Sequence, residues 1–508
     1  VARYLVGIDN GSQSSKVTVF DALGTVVASG RCPLRPYDTP VPGVVEHPGD
    51  DLWESIGAAS RAAMAAFDER GLDRTSIAGV GLCTIRFCRA LLRADGSLAS
   101  PVLSWMDSRV SRPYEHTDEA VARVTTSSGY ITHRLTGRFV DTSANHQGQW
   151  PIDAAAWRWL PQGDEFASFG IRRDQLAQLV DPGELLGHVT TSAAATTGLP
   201  EGLPVVATAN DKAVEALGSG LSEPTTLLIS LGTYITSMTL GSSSRPSASG
   251  FWSNFASVPG EYLYESGGIR RGMWTISWFR DLLGPACAAE ASARGQSLEE
   301  LLGLEAEYVP AGSNGLLTVL DWLAPDDAPH RRGSILGFDG RQGRGHVYRS
   351  LLEAIALTMK QRADLMAGEL GIAFERVLIS GGGSDSPLLA QIISDTFGLP
   401  VRRPATTDGA GLGAAICAAV ALEVHPSFAA AQAAMVTVRD EFVPDPARHE
   451  LYGRLGEVHA AITSATDPLY ARLSVAAESC DLLTADPGQA LTFSARTSPE
   501  DGQDLPER

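Results

Sequence analysis

The chain has 508 residues, room for roughly two to four domains. Lys and Arg number 40 against 59 Asp and Glu, a formal charge of −19. That balance repels phosphate backbones and anionic lipid surfaces, which excludes non-specific binding to nucleic acid or membrane; a small phosphate neutralised by Mg²⁺ stays admissible. Glycine, 52 of the 508 residues, exceeds the usual share of ~7% and points to tight turns and close backbone approaches.

The six cysteines (32, 83, 88, 287, 417 and 480) form no CxxC pair. A reduced, cytoplasmic setting is the simplest reading. Cys83 and Cys88 lack a second pair for a metal site and read as small buried residues. No secretory leader is expected, because Tyr4 to Asp9 already has a strand pattern. The uncharged stretch from Pro224 to Ser244 is rich in Ser and Thr and alternates, so it predicts strands and not a membrane span.

In chain order, Leu5–Ile8 and Lys16–Phe20 predict two strands around the polar turn Asp9-Asn10-Gly11-Ser12-Gln13-Ser14, and Val26–Ala28 a third. A helix follows from Asp51 to about Glu69, then a strand over 77–82. Val205–Thr208 is a strand ending in Asn210-Asp211, with a helix starting at Lys212. Leu227–Ser230, Gly232-Thr233 and Ile235–Leu240 repeat the opening hairpin at an offset of 221 residues: Ile8 matches Ile229, Gly11 matches Gly232, Ser12 matches Thr233 and Val17 matches Met238. The repeated hairpin predicts a duplicated chain. Beyond it, a helix over about 346–370, a strand over 376–379, and a helix opened by Ser386 as N-cap and Pro387 complete an alternating pattern, the mark of an α/β architecture. A small-residue helix spans 411–422, and from Val475 onward an irregular tail is expected.

Three glycine-rich turns suit phosphate or nucleotide. Gly11 admits an anion close to the backbone, Ser12, Gln13 and Ser14 add donors, and Asp9 at the strand end suits hydrated Mg²⁺. An ordinary hairpin turn accounts for the same residues. Gly232-Thr233 carries the same two readings. Ser380-Gly381-Gly382-Gly383-Ser384-Asp385-Ser386 joins a strand to a helix with more glycine than a turn needs, which favours ligand approach. Asp211, a carboxylate at a strand end, suits a general base, although a helix cap would also explain it.

Together these segments resemble the FGGY family of carbohydrate kinases, in its xylulokinase-like branch, from about Tyr4 to Tyr452. The most specific piece is SGGGSDSPLLAQIISDTFGLP, Ser380 to Pro400, similar to the family's adenosine-binding segment. VGIDNGSQSSKVTVFD, VVATANDKAVEALGSG and ISLGTYITS resemble the first phosphate hairpin, the catalytic-Asp segment and the second phosphate hairpin. Gly333 to Glu353 approaches the C-terminal signature. The resemblance implies a duplicated actin-like, ribonuclease H-like fold of two lobes, 1–222 and 223–474, with a catalytic cleft between them and a tail over 475–508. It implies an ATP- and Mg²⁺-dependent kinase acting on a small carbohydrate, a pentulose such as xylulose or a related polyol. A homodimer is the assembly considered. Asp211 becomes the base. Gly11, Ser12, Gln13, Ser14, Gly232 and Thr233 hold phosphates, Gly382, Gly383 and Ser386 line the adenosine site, and Asp9 organises Mg²⁺. Arg86 and Phe87 stand where such members carry Met-His, and Arg86 resembles the Arg that glycerol kinases turn toward their polyol. Trp105 and Asp107, in a W-x-D-x-R pattern, face the sugar with Asn210.

Two departures stand out. Asp385 occupies a frequent Lys position. The helix resembling Y-x-x-x-R-L-T-G begins at Tyr130, only 21 residues after Arg109, so a helical segment is missing. On that gap rests a rival reading, a non-catalytic nucleotide or sugar binder. An actin-like assembly ATPase is a further rival, disfavoured by Asp211 and the Trp105–Arg109 pattern.

Overall fold

The computed structural model describes residues 3–325 and 328–478. Its first sheet contains β1 (Tyr4–Asn10), β2 (Ser14–Phe20), β3 (Val26–Pro33), β4 (Ile77–Thr84), β5 (Leu185–His188) and β6 (Pro204–Ala207), in the order β5-β6-β4-β1-β2-β3. Helix α1 (Asp51–Glu69) follows β3, and α2 (Asp211–Gly218) follows β6. The second sheet contains β7 (Thr226–Leu231), β8 (Ile235–Gly241), β9 (Phe251–Phe255), β10 (Tyr262–Ser266), β11 (Arg376–Ser380), β12 (Val401–Pro404) and β13 (Val438–Phe442), in the order β9-β10-β8-β7-β11-β12-β13. Helix α3 (Arg344–Leu370) precedes β11, α4 (Pro387–Phe397) precedes β12, α5 (Gly409–Ala421) follows β12 and α6 (Pro446–Glu478) ends the described chain.

The sheets share one plan. In each, an antiparallel hairpin is extended by a third antiparallel strand on one side, and two parallel strands and an antiparallel edge follow on the other. The second sheet adds β9 at its edge. The hairpin repeat in the sequence is thus a repeat of whole lobes, and the fold is the duplicated two-lobed α/β arrangement expected.

Strand periodicity explains how the first sheet is covered. On β1, Val6 and Ile8 enter one core with Ile56, Met64 and Phe67 of α1. Leu5 points the other way, into a core with Leu412, Ala415 and Ile416 of α5. Thus α5, from the second half of the chain, covers the back of the first sheet. The lobe boundary at 222/223 follows chain order, but residues 409–421 pack with the first lobe. The approach is close enough to demand glycine: a Cβ on Gly7 would lie 2.0 Å from the Gly411 carbonyl oxygen, and one on Gly218 would lie 1.9 Å from that of Gly409.

One sequence expectation changes at the end of the chain. The predicted tail begins later than Val475, because α6 runs to Glu478; the rest of it, 479–508, lies outside the described residues. Between Arg109 and the strand Arg123–Thr125 no helix is present, as the short spacing implies. Among the described residues no helix is long and apolar enough to cross a membrane.

Candidate active site

The turns after β1 and β7 face each other across the cleft between lobes. Their tips touch, Gln13 Nε2 donating to Thr233 Oγ1 at 3.2 Å. Asp211 stands at the first turn of α2. Its neighbour Asn210 supplies the helix cap, with Oδ1 accepting from Ala213 N at 3.1 Å. That division of labour frees the Asp211 carboxylate for the cleft, where the side chain is 28% exposed.

Charge around Asp211 is arranged across both lobes. Arg86, at the loop after β4, pairs with Glu265 of β10 through two bonds of 2.7 and 2.9 Å, and its Nε lies 3.5 Å from Asp211 Oδ1. Asn254 donates to the same Glu265 at 3.0 Å. Burial pushes the Asp211 pKa above the ordinary carboxylate range, and Arg86 and Lys212 restrain the rise. The next residue, Lys212, bonds Glu215 and Ser230 through Nζ, each at 2.8 Å, and Glu215 also accepts from Ser230 at 2.8 Å and Ser380 at 2.7 Å. This network ties α2 to the ends of β7 and β11. Burial alone would raise the Glu215 pKa, but Lys212 brings it below its usual value.

Asp9, at the end of β1, has its pKa pushed up to about 7 by burial and by the nearby carboxylate of Asp408. Asp408 caps α5, accepting from Gly411 N at 3.1 Å and from Thr18 Oγ1 at 2.6 Å. Helices α2 and α5 follow equivalent strands, so each half of the duplication delivers an aspartate to the cleft at a helix N-terminus. Among the described residues no three ligating side chains converge on a preformed metal site.

The glycines divide into two kinds. At Gly11 and Gly232 an added Cβ would meet the protein at 3.4 Å or more, and at Gly382 nothing lies within 4 Å. None of the three has a left-handed φ. The protein's own packing therefore does not require glycine there, and the bare backbone faces the cleft. Gly383 differs. It is buried, and a Cβ would lie 2.7 Å from Met273 Sδ, so close packing explains it rather than an adenosine contact.

Other assignments from sequence also shift. Gly11 N–H is used by the turn itself, donating to Ser14 O at 3.1 Å. Ser14 is buried in β2 and its Oγ accepts from Arg31 Nε at 3.1 Å; it does not face the phosphate side as expected. Ser12 is exposed at the turn tip. Ser386 Oγ caps α4 by accepting from Leu389 N at 3.2 Å. Asp107 is 1% exposed, with its oxygens taken by Val45 N and by Arg109. It braces the loop instead of facing a sugar. Asn210 is fully buried and, besides capping α2, donates to Phe255 O at 3.2 Å. It too is committed to structure.

Phe87 and Trp105 do line open space. With Arg89, Ser111, Gln147 and Trp150 they border a cavity of about 240 Å³. Phe87 holds a left-handed φ of 65° and sets its ring 5.9 Å from that of Trp252 in the second lobe, a backbone strain of about 1 kcal/mol or more that positions a ring at the cleft. Sequence reasoning missed Arg89, Gln147 and Glu265, which belong to no motif. Only a cap-forming Asp before a small-residue helix hinted at Asp408.

The pattern of the FGGY family of carbohydrate kinases, N-terminal domain, matches residues 4–121 and 110–218, and that of the C-terminal domain matches 227–422. The overlap of the two N-terminal pieces falls in the shortened stretch after Arg109. The uncharacterized sugar kinase YgcE of Escherichia coli is 46% identical, over 92% of this chain and 94% of its own. An autoinducer-2 kinase of Klebsiella pneumoniae is 27% identical, over 88% of this chain and 91% of its own. The crystal structure of a xylulose kinase from Rhodospirillum rubrum superposes with a TM-score of 0.76 at 25% identity, covering 92% of this chain and 100% of that one. With the duplicated fold, the facing turns and the aspartate between them, these matches place the chain in the FGGY family of carbohydrate kinases, as an enzyme that phosphorylates a sugar with ATP.

Proposed function

We propose that Asp211 is the general base and that the acceptor is a small open-chain carbohydrate, of the size of a pentulose such as xylulose or a related polyol. The observation that carries this is the placement of a partly exposed carboxylate, held by Arg86 and Lys212 N, at a helix N-terminus in the cleft where two glycine turns meet at Gln13 and Thr233. Its raised pKa brings it nearer to working pH, which suits a group that must accept a hydroxyl proton. Ser12, Gln13 and Thr233 donate to the β- and γ-phosphates, and the bare backbone at Gly11, Gly232 and Gly382 admits the nucleotide.

The carboxylates of Asp9 and Asp408 offer only oxygen donors to a cation. Such a set fits Mg²⁺ carried in on the phosphates with part of its water shell. Asp9 would hold that shell; Mg²⁺, when bound, neutralises charge on the transferring group. The chain's own residues orient the hydroxyl toward Asp211 and keep that carboxylate ionised through Arg86.

The test is ADP release against a panel of ketoses, polyols and sugar acids. Asp211→Asn is expected to lower kcat by about 10²–10⁴-fold while ATP still raises Tm. Sugar-stimulated turnover that persists in Asp211→Asn at the wild-type rate would remove Asp211 from the role of base.

A further inference from the structure

Resting on the kinase reading, we propose that the acceptor carries a carboxylate, so that this enzyme phosphorylates a sugar acid, and that Arg89 and Gln147 bind its acid end. The cavity beside Phe87 is lined by the rings of Trp105 and Trp150 and by the polar side chains of Arg89 and Gln147. Arg89 is 3% exposed, and among the described residues it forms no ion pair. Its Nη atoms donate to the backbone carbonyls of Arg109, at 3.1 Å, and Arg112, at 3.2 Å. Its Nε is buried with no acceptor among the described residues. Gln147 lines the same cavity, and both ends of its amide are buried without a partner.

A buried cation normally sits against an anion. The carboxylate that could serve, Asp107, is occupied by Arg109 and Val45. Arg89 has instead two rings, Tyr114 and Trp150, each 6.0 Å from the guanidinium carbon. Burial pushes its pKa down to about 10, a sign that the protein supplies too little negative charge. A ligand carboxylate supplies both missing features: charge for Arg89 with an acceptor for Nε, and an acceptor for the Gln147 amide N–H. The ligand's hydroxyls serve the Gln147 Oε1. One unpaired cationic N–H and one amide suit a carboxylate better than a phosphate ester, which demands more donors. A neutral sugar would leave the charge uncompensated.

The experiment uses the purified full-length enzyme, ADP release and Tm shifts, with aldonic acids, neutral polyols of matched length, and sugar phosphates. The expected result is a kcat/KM for the best acid exceeding its neutral match on the order of 100-fold, the size of a charge-assisted contact. Arg89→Met should erase that ratio, Arg89→Lys should restore part of it, and Gln147→Leu should reduce it. A neutral polyol or sugar phosphate as the preferred substrate overturns the inference, as does an acid-to-neutral ratio unchanged in Arg89→Met. Should Arg89→Met fail to fold, the same comparison in Gln147→Leu decides. If nothing is turned over but an acid raises Tm in the wild type and not in Gln147→Leu, the acid site stands and the kinase reading falls. No turnover and no acid-induced shift removes both.

Discussion

Asp211, the proposed base, owes its position to its neighbours. The adjacent Asn210 caps the helix, while Asp211 Oδ1 accepts from Lys212 N at 2.9 Å and lies 3.5 Å from Arg86 Nε, which leaves the carboxylate partly open to the cleft. Its protonation is set by burial against Arg86 and Lys212. Below its pKa the base is protonated and inactive, so kcat/KM should fall on the acid side at a pH above the ordinary carboxylate range. Arg86→Gln withdraws a cation that favours the ionised form, and the acid limb should move to still higher pH. A limb that stays put in a pH profile of the variant would show that Arg86 does not govern the base. Gly382→Ala probes the nucleotide side: its Cβ meets nothing, so stability should change by less than about 0.5 kcal/mol, while KM for ATP rises. Asp107 shows how a motif misleads. W-x-D-x-R names residue types, but Asp107 and Arg109 are close enough in sequence to satisfy each other, and they do. Spacing carries no information on which way a carboxylate turns.

At the level of elements, the two helices at the lobe interface are held by backbone-to-backbone approach. Gly81 on β4 illustrates it, since a Cβ there would lie 1.9 Å from the carbonyl oxygen of Ala414 on α5. Gly81→Ala must push the helix off the sheet, at a cost of about 1–3 kcal/mol. A calorimetric scan should record Tm lower by several degrees; an unchanged Tm would mean that α5 shifts without penalty. The strands and helices that frame the site were legible in the sequence because their hydrophobic periods are clear. The partners of α5 were not, since a run of small residues packs equally well against either sheet on pattern alone.

Across the whole molecule, Arg86 and Glu265 join the lobes at the base of the cleft, so the charge that tunes Asp211 depends on both halves. Acid stability is also a property of the entire fold. His47 is 1% exposed, and burial pushes its pKa from 6.5 down to about 4. The unfolded chain takes up a proton near 6.5, whereas the folded chain does not until about 4. Stability is therefore full above 6.5 and declines as pH falls from 6.5 to 4. Between pH 7 and 5 this one group accounts for about 2 kcal/mol. His47→Phe should lose correspondingly less Tm over that interval, and an equal loss would exclude His47 as the source.

The sequence by itself determined the duplicated α/β plan, the two glycine turns and the aspartate at the start of α2. Those features follow from local period, turn chemistry and order along the chain. Only the tertiary structure decided which polar groups remain free. Asp107, Asn210, Ser14 and Ser386 are consumed by neighbours, while among the described residues Arg89 Nε and the Gln147 amide are left without partners beside a cavity. Hydrogen-bond satisfaction depends on three-dimensional proximity between residues far apart in the chain, and no local pattern encodes it.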